Sequence, residues 1–194
     1  MLEQLFSPLG LIAAVSLLAL LIVVPVSLYL RRGTDLRRIK MTLQEHACSS
    51  IQGAVMPDGI DGYLFADYLI LLRGKIVVMK VESRSGYVFG AEKIDEWTSV
   101  KDNRTGKFRN PLKQVTLFAQ QVKHLFKFNG VEACVLFGSD SEFPKGIPQG
   151  VLQMESYAEQ LEALAGSDDE HEAAKQVWEK LIVMTNEGRQ QLDG

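Results

Sequence analysis

The chain has few of the residues that build disulfide frameworks or metal clusters. Its 194 residues include two cysteines and three histidines. Cys48 and Cys134 are far apart and form no Cys-x-x-Cys pair, so the sequence predicts two buried free thiols instead of a disulfide or a zinc site. His46, His124 and His171 show no ligand spacing, which argues against a metal site built on histidine.

The chain also lacks the excess of positive charge that is common in proteins that bind nucleic acid tightly. It has 21 basic and 24 acidic residues, and the formal net charge is −3. Only Glu3 precedes Arg31 among the charged residues, so residues 31–194 hold 21 basic and 23 acidic residues, a net charge of −2. Composition gives no support to tight nucleic-acid binding, but it does not exclude a local basic patch.

Charge is entirely missing from residues 9–30, which are mostly Leu, Val, Ile and Ala. At about 1.5 Å per residue, a helix of this length spans the roughly 30 Å hydrocarbon core of a membrane. The run is too long for a signal peptide, and no small-residue cleavage site follows it. We therefore predict one retained transmembrane helix over residues 9–30.

Basic residues follow this apolar run at once: Arg31, Arg32, Arg37, Arg38 and Lys40. The positive-inside rule predicts that residues 31–194 lie in the cytoplasm, as the soluble part of a single-pass membrane protein. The same side chains also suit anionic lipid headgroups, so they need no nucleic-acid explanation.

The rest of the sequence predicts an α/β fold, in which helices flank one mixed sheet. The predicted strands are 63–72, 75–83, 87–89, 97–100 with 107–108, 131–137 and 151–154, and residues 49–62 are unassigned. The predicted helices are 34–47, one that begins at Asn110-Pro111, 156–164 and 170–185. The predicted divisions are 1–32 for the anchor and its basic flank, 33–165 for the α/β domain, and 166–194 for an acidic linker and a final helix.

Polar residues at fixed places in these elements form the most informative pattern. Asp67 lies on the first predicted strand, and Lys80-Val81-Glu82 ends the second. Trp97 and the run Asn110-Pro111-Leu112-Lys113-Gln114 follow. In order and spacing these motifs resemble the NERD (nuclease-related) domain, over roughly residues 35–155. That family belongs to the restriction-endonuclease-like group, which is built around an Asp…Glu-x-Lys site.

The resemblance implies a magnesium-dependent nuclease. In such a site the Asp and Glu carboxylates hold Mg²⁺, and the Lys orients the attacking water or stabilises developing negative charge. The resemblance thus assigns Asp67, Lys80, Glu82 and Gln114 as candidate catalytic residues. Asp67 and Glu82 are the candidate ligands of a weakly bound Mg²⁺.

The chain departs from the family pattern on the second strand, because Lys80 stands where the family has Glu and Glu82 where it has Lys. The strand period of two keeps both side chains on one face. A two-residue turn at Arg73-Gly74 pairs Asp67 with Lys80 and favours an ion pair. Two unit charges about 4 Å apart interact by on the order of 4 kcal/mol at an effective dielectric near 20. The repulsion between the Lys80 ammonium and a divalent cation is larger than that between two unit charges. The sequence therefore predicts an impaired site.

Two functions remain open at this stage. One is a membrane-anchored, nuclease-related protein that processes or binds DNA or RNA with impaired catalysis. The alternative is a catalytically inactive interaction module, tethered at the membrane and bound to a protein partner. Gln114 either contacts substrate or is an exposed residue at a helix start, and Trp97 fits core packing better than base stacking. The oligomeric state also stays open.

Overall fold

The structure is a computed structural model that describes residues 33–193. The predicted transmembrane segment, residues 9–30, lies outside this range. Within residues 33–193, no helix is long and apolar enough to cross a membrane. Within the described residues, the chain from Met41 onward forms one compact unit.

Helices and strands alternate through the described part of the chain. The helices are α1 (33–46), α2 (Pro111–Phe126), α3 (Tyr157–Ala163) and α4 (His171–Asp193). The strands are β1 (Ser49–Pro57), β2 (Tyr63–Leu72), β3 (Lys75–Glu82), β4 (Gly86–Phe89), β5 (Glu96–Lys101), β6 (Arg104–Arg109), β7 (Val131–Phe137), β8 (Ser141–Glu142) and β9 (Val151–Gln153). A mixed α/β fold is thus confirmed.

The strands form two sheets, so the prediction of one sheet is wrong. The larger has the order β1-β2-β3-β7-β9, with β1, β2 and β3 antiparallel and β3, β7 and β9 parallel. The smaller has the order β6-β5-β4-β8. β4 joins β8 instead of β3, because Gly86 turns the chain with a φ of 85° and its N–H donates to Asp140 O at 2.7 Å. β8 has two residues and is too short to leave a hydrophobic pattern.

Helix α2 begins as its sequence predicts and packs on the larger sheet. Asn110 caps it through a hydrogen bond from Leu112 N to Asn110 Oδ1 at 3.0 Å, and Pro111 occupies the first turn. Its buried side chains recur at helical spacing and contact β2, β3 and β7. The helix ends where Lys127 adopts a left-handed φ of 52°. These contacts fix the start of α2 beside the ends of β2 and β3.

The C-terminal helix also packs on this sheet, and it is longer than predicted. α4 contacts β1, β2 and β3 and continues past Thr185 to Asp193. Gly188 permits this packing, because a Cβ there would lie 2.7 Å from Val55 O. Arg189 Nε donates to Gly53 O at 2.8 Å and so covers part of the edge strand β1, which the sequence left unassigned.

One of the two predicted buried thiols is in fact exposed. Cys134 lies buried on β7, and burial raises the pKa of its thiol, with a smaller contribution from Glu132. Cys48 is exposed because it precedes the edge strand β1, where its N–H donates to Leu71 O at 2.8 Å. Both cysteines are free.

Trp97 lies in the core, as the sequence favoured. It is fully buried, its indole N–H donates to Ala91 O at 3.1 Å, and its ring stacks on Phe137 with centroids 6.0 Å apart. Gly90 lies directly against it, since a Cβ at Gly90 would be 2.1 Å from Trp97 Cδ2. The indole therefore requires glycine at this position.

Replacing Gly90 with alanine is expected to destabilise the domain by about 2 kcal/mol, the usual cost of forcing an extra methyl group into a packed core. Denaturant unfolding of the full chain in detergent micelles, followed by tryptophan fluorescence, measures the effect. Gly106→Ala is the matched control, because its Cβ would lie 3.5 Å from Ser99 Oγ, an ordinary contact. Equal stability of the two variants would contradict this packing.

Candidate functional site

A cleft of about 730 Å³ lies between the first residues of β2, the last residues of β3, the β5–β6 hairpin and the start of α2. Three of the four predicted site residues line it: Lys80, Glu82 and Gln114. Asp67 is exposed and is not among the lining residues. A second cleft of about 670 Å³ lies beside α2 and contains none of the four.

Lys80 is held by an amide instead of a carboxylate. Its Nζ donates to Gln114 Oε1 at 3.3 Å, and Gln114 Nε2 donates to Phe65 O at 3.1 Å. Gln114 thus bridges β3 and β2 from the first turns of α2. Gln114 is half-buried, and both ends of its amide have protein partners.

The ion pair predicted between Asp67 and Lys80 is not formed. Both residues lie in the described part of the chain, and each group has another partner there. The β2–β3 ladder runs as far as the pair Tyr68–Met79, so its next position would join Asp67 and Lys80. The carboxylate instead accepts a hydrogen bond from Val81 N, with 2.7 Å between Oδ2 and N. A backbone donor at the end of the ladder therefore takes the place that the lysine was predicted to take.

The strand geometry changes at Asp67, which explains this contact. Before it, Leu64 and Ala66 pack in the main core, whereas after it Leu69 and Leu71 do, so the alternation shifts by one residue. The opposite position on β1 is Gly53, which has a φ of 65°. Irregularities of this kind re-aim a side chain. Here the carboxylate points along the sheet toward the β3 backbone.

Glu82 lies in the cleft but is paired with a cation. Its Oε1 lies 3.7 Å from Arg84 Nε, and its side chain is 16% exposed. The Arg84 guanidinium also stands over the Phe108 ring, 4.8 Å from the centroid. Two contacts therefore fix Arg84 at the wall of the cleft.

The charged lining is close to balanced. The basic residues are Lys80, Arg84, Arg109 and Lys113, and the acidic ones are Glu82, Asp95 and Glu96. Each acid forms an ion pair: Glu82 with Arg84, Asp95 with Lys113, and Glu96 with Lys107 at 3.5 Å. The hydrogen bond from Lys113 holds the pKa of the Asp95 carboxyl below its ordinary value. Within residues 33–193, Lys80 and Arg109 have no carboxylate partner and are left to attract an anion.

Asn110 has a structural role that the sequence showed only in part. Besides capping α2, its Nδ2 lies 3.3, 2.9 and 2.8 Å from the carbonyl oxygens of Ala91, Glu92 and Ile94. The residue is buried. It therefore joins the segment between β4 and β5 to the helix that carries Gln114. The Asn-Pro pair indicated the cap, but these long-range contacts leave no mark in the sequence.

The donor set does not fit the Mg²⁺ that the family resemblance implies. Mg²⁺ prefers oxygen ligands in octahedral geometry, commonly carboxylates. Here Asp67 accepts from a backbone N–H, Glu82 is paired with Arg84, and the Lys80 ammonium stands in the cleft. In the part of the chain that the structure describes, no group of three or more His, Cys, Asp or Glu residues could hold a metal ion.

A sequence model of the nuclease-related domain, NERD, matches residues 36–138, slightly more than half of the chain. The chain therefore belongs to the NERD family. This match agrees with the resemblance inferred from the motifs between Asp67 and Gln114. Comparisons with curated proteins and with solved structures gave no match.

Proposed function

We propose that this NERD domain binds the phosphate backbone of nucleic acid in the cleft, and that it cleaves slowly or not at all. Lys80 carries the proposal, because a cation occupies the position of the family's metal-binding Glu. A lysine can neutralise a phosphate directly, so binding needs no metal ion. The family makes the function nuclease-related. The exchange of charge at Lys80 and Glu82 makes the cleft favour phosphate binding over metal-dependent cleavage.

The arrangement of the cations supports phosphate binding. Arg109 lines the cleft at the end of β6, and exposed Arg104 and Lys107 precede it on the same strand. Phosphate contacts need no base-specific geometry, so a short basic edge leading into a cleft suits them. The near-neutral charge of the whole domain is compatible with weak, salt-sensitive binding.

The same geometry accounts for poor cleavage. Hydrolysis in a site of this class requires carboxylates to position a metal ion and its bound water. In this chain the ammonium of Lys80 repels a divalent cation, and Glu82 already neutralises Arg84. We therefore expect wild-type Mg²⁺ affinity to be weak.

The proposal includes the membrane anchor and the orientation predicted from the sequence. Residues 9–30 form the membrane-spanning helix, and residues 31–194 lie on the cytoplasmic side. We also propose that the domain has the restriction-endonuclease-like arrangement of its family. The five-stranded sheet with α2 at the ends of β2 and β3 supports it.

The second candidate is an inactive module that binds a protein partner. The pairing of every acidic side chain in the cleft favours it, because such a surface has little net charge to attract nucleic acid. The Asp67–Lys80 ion pair expected for such a module is not formed, since Asp67 binds Val81 N.

Lys80→Met is expected to weaken oligonucleotide binding by about tenfold, the effect of losing one charge-assisted contact. The slope of log affinity against log salt concentration should fall by about one. Fluorescence anisotropy on the full chain in detergent micelles, with EDTA present, measures both quantities.

Lys123→Met is the matched control, since Lys123 is also half-buried but lies outside the cleft. Its affinity should equal that of the wild type. An unchanged affinity in Lys80→Met would contradict phosphate binding by this lysine, as would wild-type binding that requires Mg²⁺. Failure of the wild type to bind any oligonucleotide favours the protein-binding module.

A further inference from the structure

Two large apolar side chains are exposed beside the cations of the cleft. Phe65 on β2 is 45% exposed and Leu117 on α2 is 56% exposed, and both line the cleft. A scattered exposed apolar residue needs no explanation, but two that share a cleft with cations lacking a carboxylate partner within residues 33–193 suit a ligand.

The aromatic residue is held at a fixed place relative to Lys80. Gln114 accepts from Lys80 Nζ at 3.3 Å and donates to Phe65 O at 3.1 Å, so one amide connects the ammonium to the backbone of the aromatic residue. Leu117 follows Gln114 by three residues on α2, which places the two on one side of the helix. A cation and an aromatic residue therefore lie in one cleft and are connected through the Gln114 amide.

This pairing of groups fits a nucleotide with an unstacked base. The ammonium attracts the phosphate, while the aromatic face accepts a base of any identity. In a duplex, the bases are stacked on one another and their faces are closed to such a ring. We propose that the cleft prefers single-stranded nucleic acid, and that Phe65 determines this preference by stacking on one base. This inference rests on the proposed function, because phosphate binding brings the strand to the cleft.

The test compares three oligonucleotides of equal length with the full chain in detergent micelles: a single strand, its duplex, and an abasic single strand. The abasic strand keeps every phosphate and has no base to stack. We expect wild-type affinity to be highest for the ordinary single strand. Phe65→Ala should reduce that affinity by about 5- to 150-fold, the range for one stacked base, and leave duplex and abasic binding unchanged.

Tyr87→Ala is the matched control, because Tyr87 is 50% exposed on a strand but does not line the cleft. It should bind all three ligands as the wild type does. Phosphate binding stands and the stacking inference falls if Phe65→Ala leaves single-strand affinity unchanged or weakens all three ligands equally. A wild type that binds none of the three overturns both proposals.

Discussion

Replacing Asn110 with alanine is expected to destabilise the domain by about 3 kcal/mol, since it removes a helix cap worth about 1 kcal/mol and the two hydrogen bonds that its amide donates to Glu92 O and Ile94 O, each worth about 1 kcal/mol. The side chain is 4% exposed, so water cannot readily replace it. The contact with Ala91 O at 3.3 Å adds little, because that oxygen also accepts from Trp97 Nε1 at 3.1 Å. Denaturant unfolding of the full chain in detergent micelles, followed by tryptophan fluorescence, measures the change.

Asn186→Ala provides the control, because Asn186 is exposed in the middle of α4 and alanine is the better helix former. Its unfolding should be unchanged or slightly shifted to higher denaturant. Asn110→Asp separates the two roles, because it keeps the acceptor for Leu112 N and loses the amide donor. A loss of only about 1 kcal/mol in Asn110→Ala, the value of a cap alone, would contradict the role in holding the β4–β5 segment.

The elements beside the cleft could be predicted because their signals are local. Strands β2, β3 and β7 are runs of branched and apolar residues, and Asn110-Pro111 marks the start of α2. The presence of Lys80, Glu82 and Gln114 in one cleft follows from those elements. Strand parity and a helix start were therefore enough to bring three of the four candidate residues to one cleft.

The partners of the charged groups could not be predicted in the same way. Asp67 binds Val81 N because the β2–β3 ladder ends beside it and the alternation shifts there. Lys80 meets Gln114, which is 34 residues away, only when α2 packs on the sheet. Strand register alone had predicted that Asp67 and Lys80 pair with each other.

The sequence predicted a helix shorter than α4 and did not predict β1, and the reason is related. Gly188 reads as a helix stop and Gly53 as a strand break when each is considered alone. In the fold, Gly188 lets α4 approach Val55, and Arg189 donates to Gly53 O. Each element is thus stabilised by a contact with the other, and single-sequence patterns do not contain that contact.

The double change Lys80→Glu and Glu82→Lys is expected to raise Mg²⁺ affinity on the order of a hundredfold, because it replaces a cation at the metal position with a carboxylate. The change leaves the net charge as it is. It also moves the lysine to the place where the family's lysine assists an attacking water.

The control exchanges the two charges of an ion pair between β3 and β7, again without altering net charge. Lys75 Nζ lies 3.3 Å from Glu132 Oε1 at the opposite end of β3, and neither residue lines the cleft. Lys75→Glu with Glu132→Lys should leave Mg²⁺ affinity at the wild-type value. An increase in this control equal to that in the first double variant would assign the effect to general electrostatics instead of the cleft.

Titration calorimetry of MgCl₂ into the full chain in detergent micelles tests the central claim most directly, namely that Lys80 in place of a carboxylate makes the cleft a poor metal site. The account predicts weak binding to the wild type and much tighter binding to the Lys80→Glu, Glu82→Lys variant. Wild-type affinity equal to or tighter than that of the variant would mean that the native order of Lys80 and Glu82 is a working metal site, in contradiction to the account.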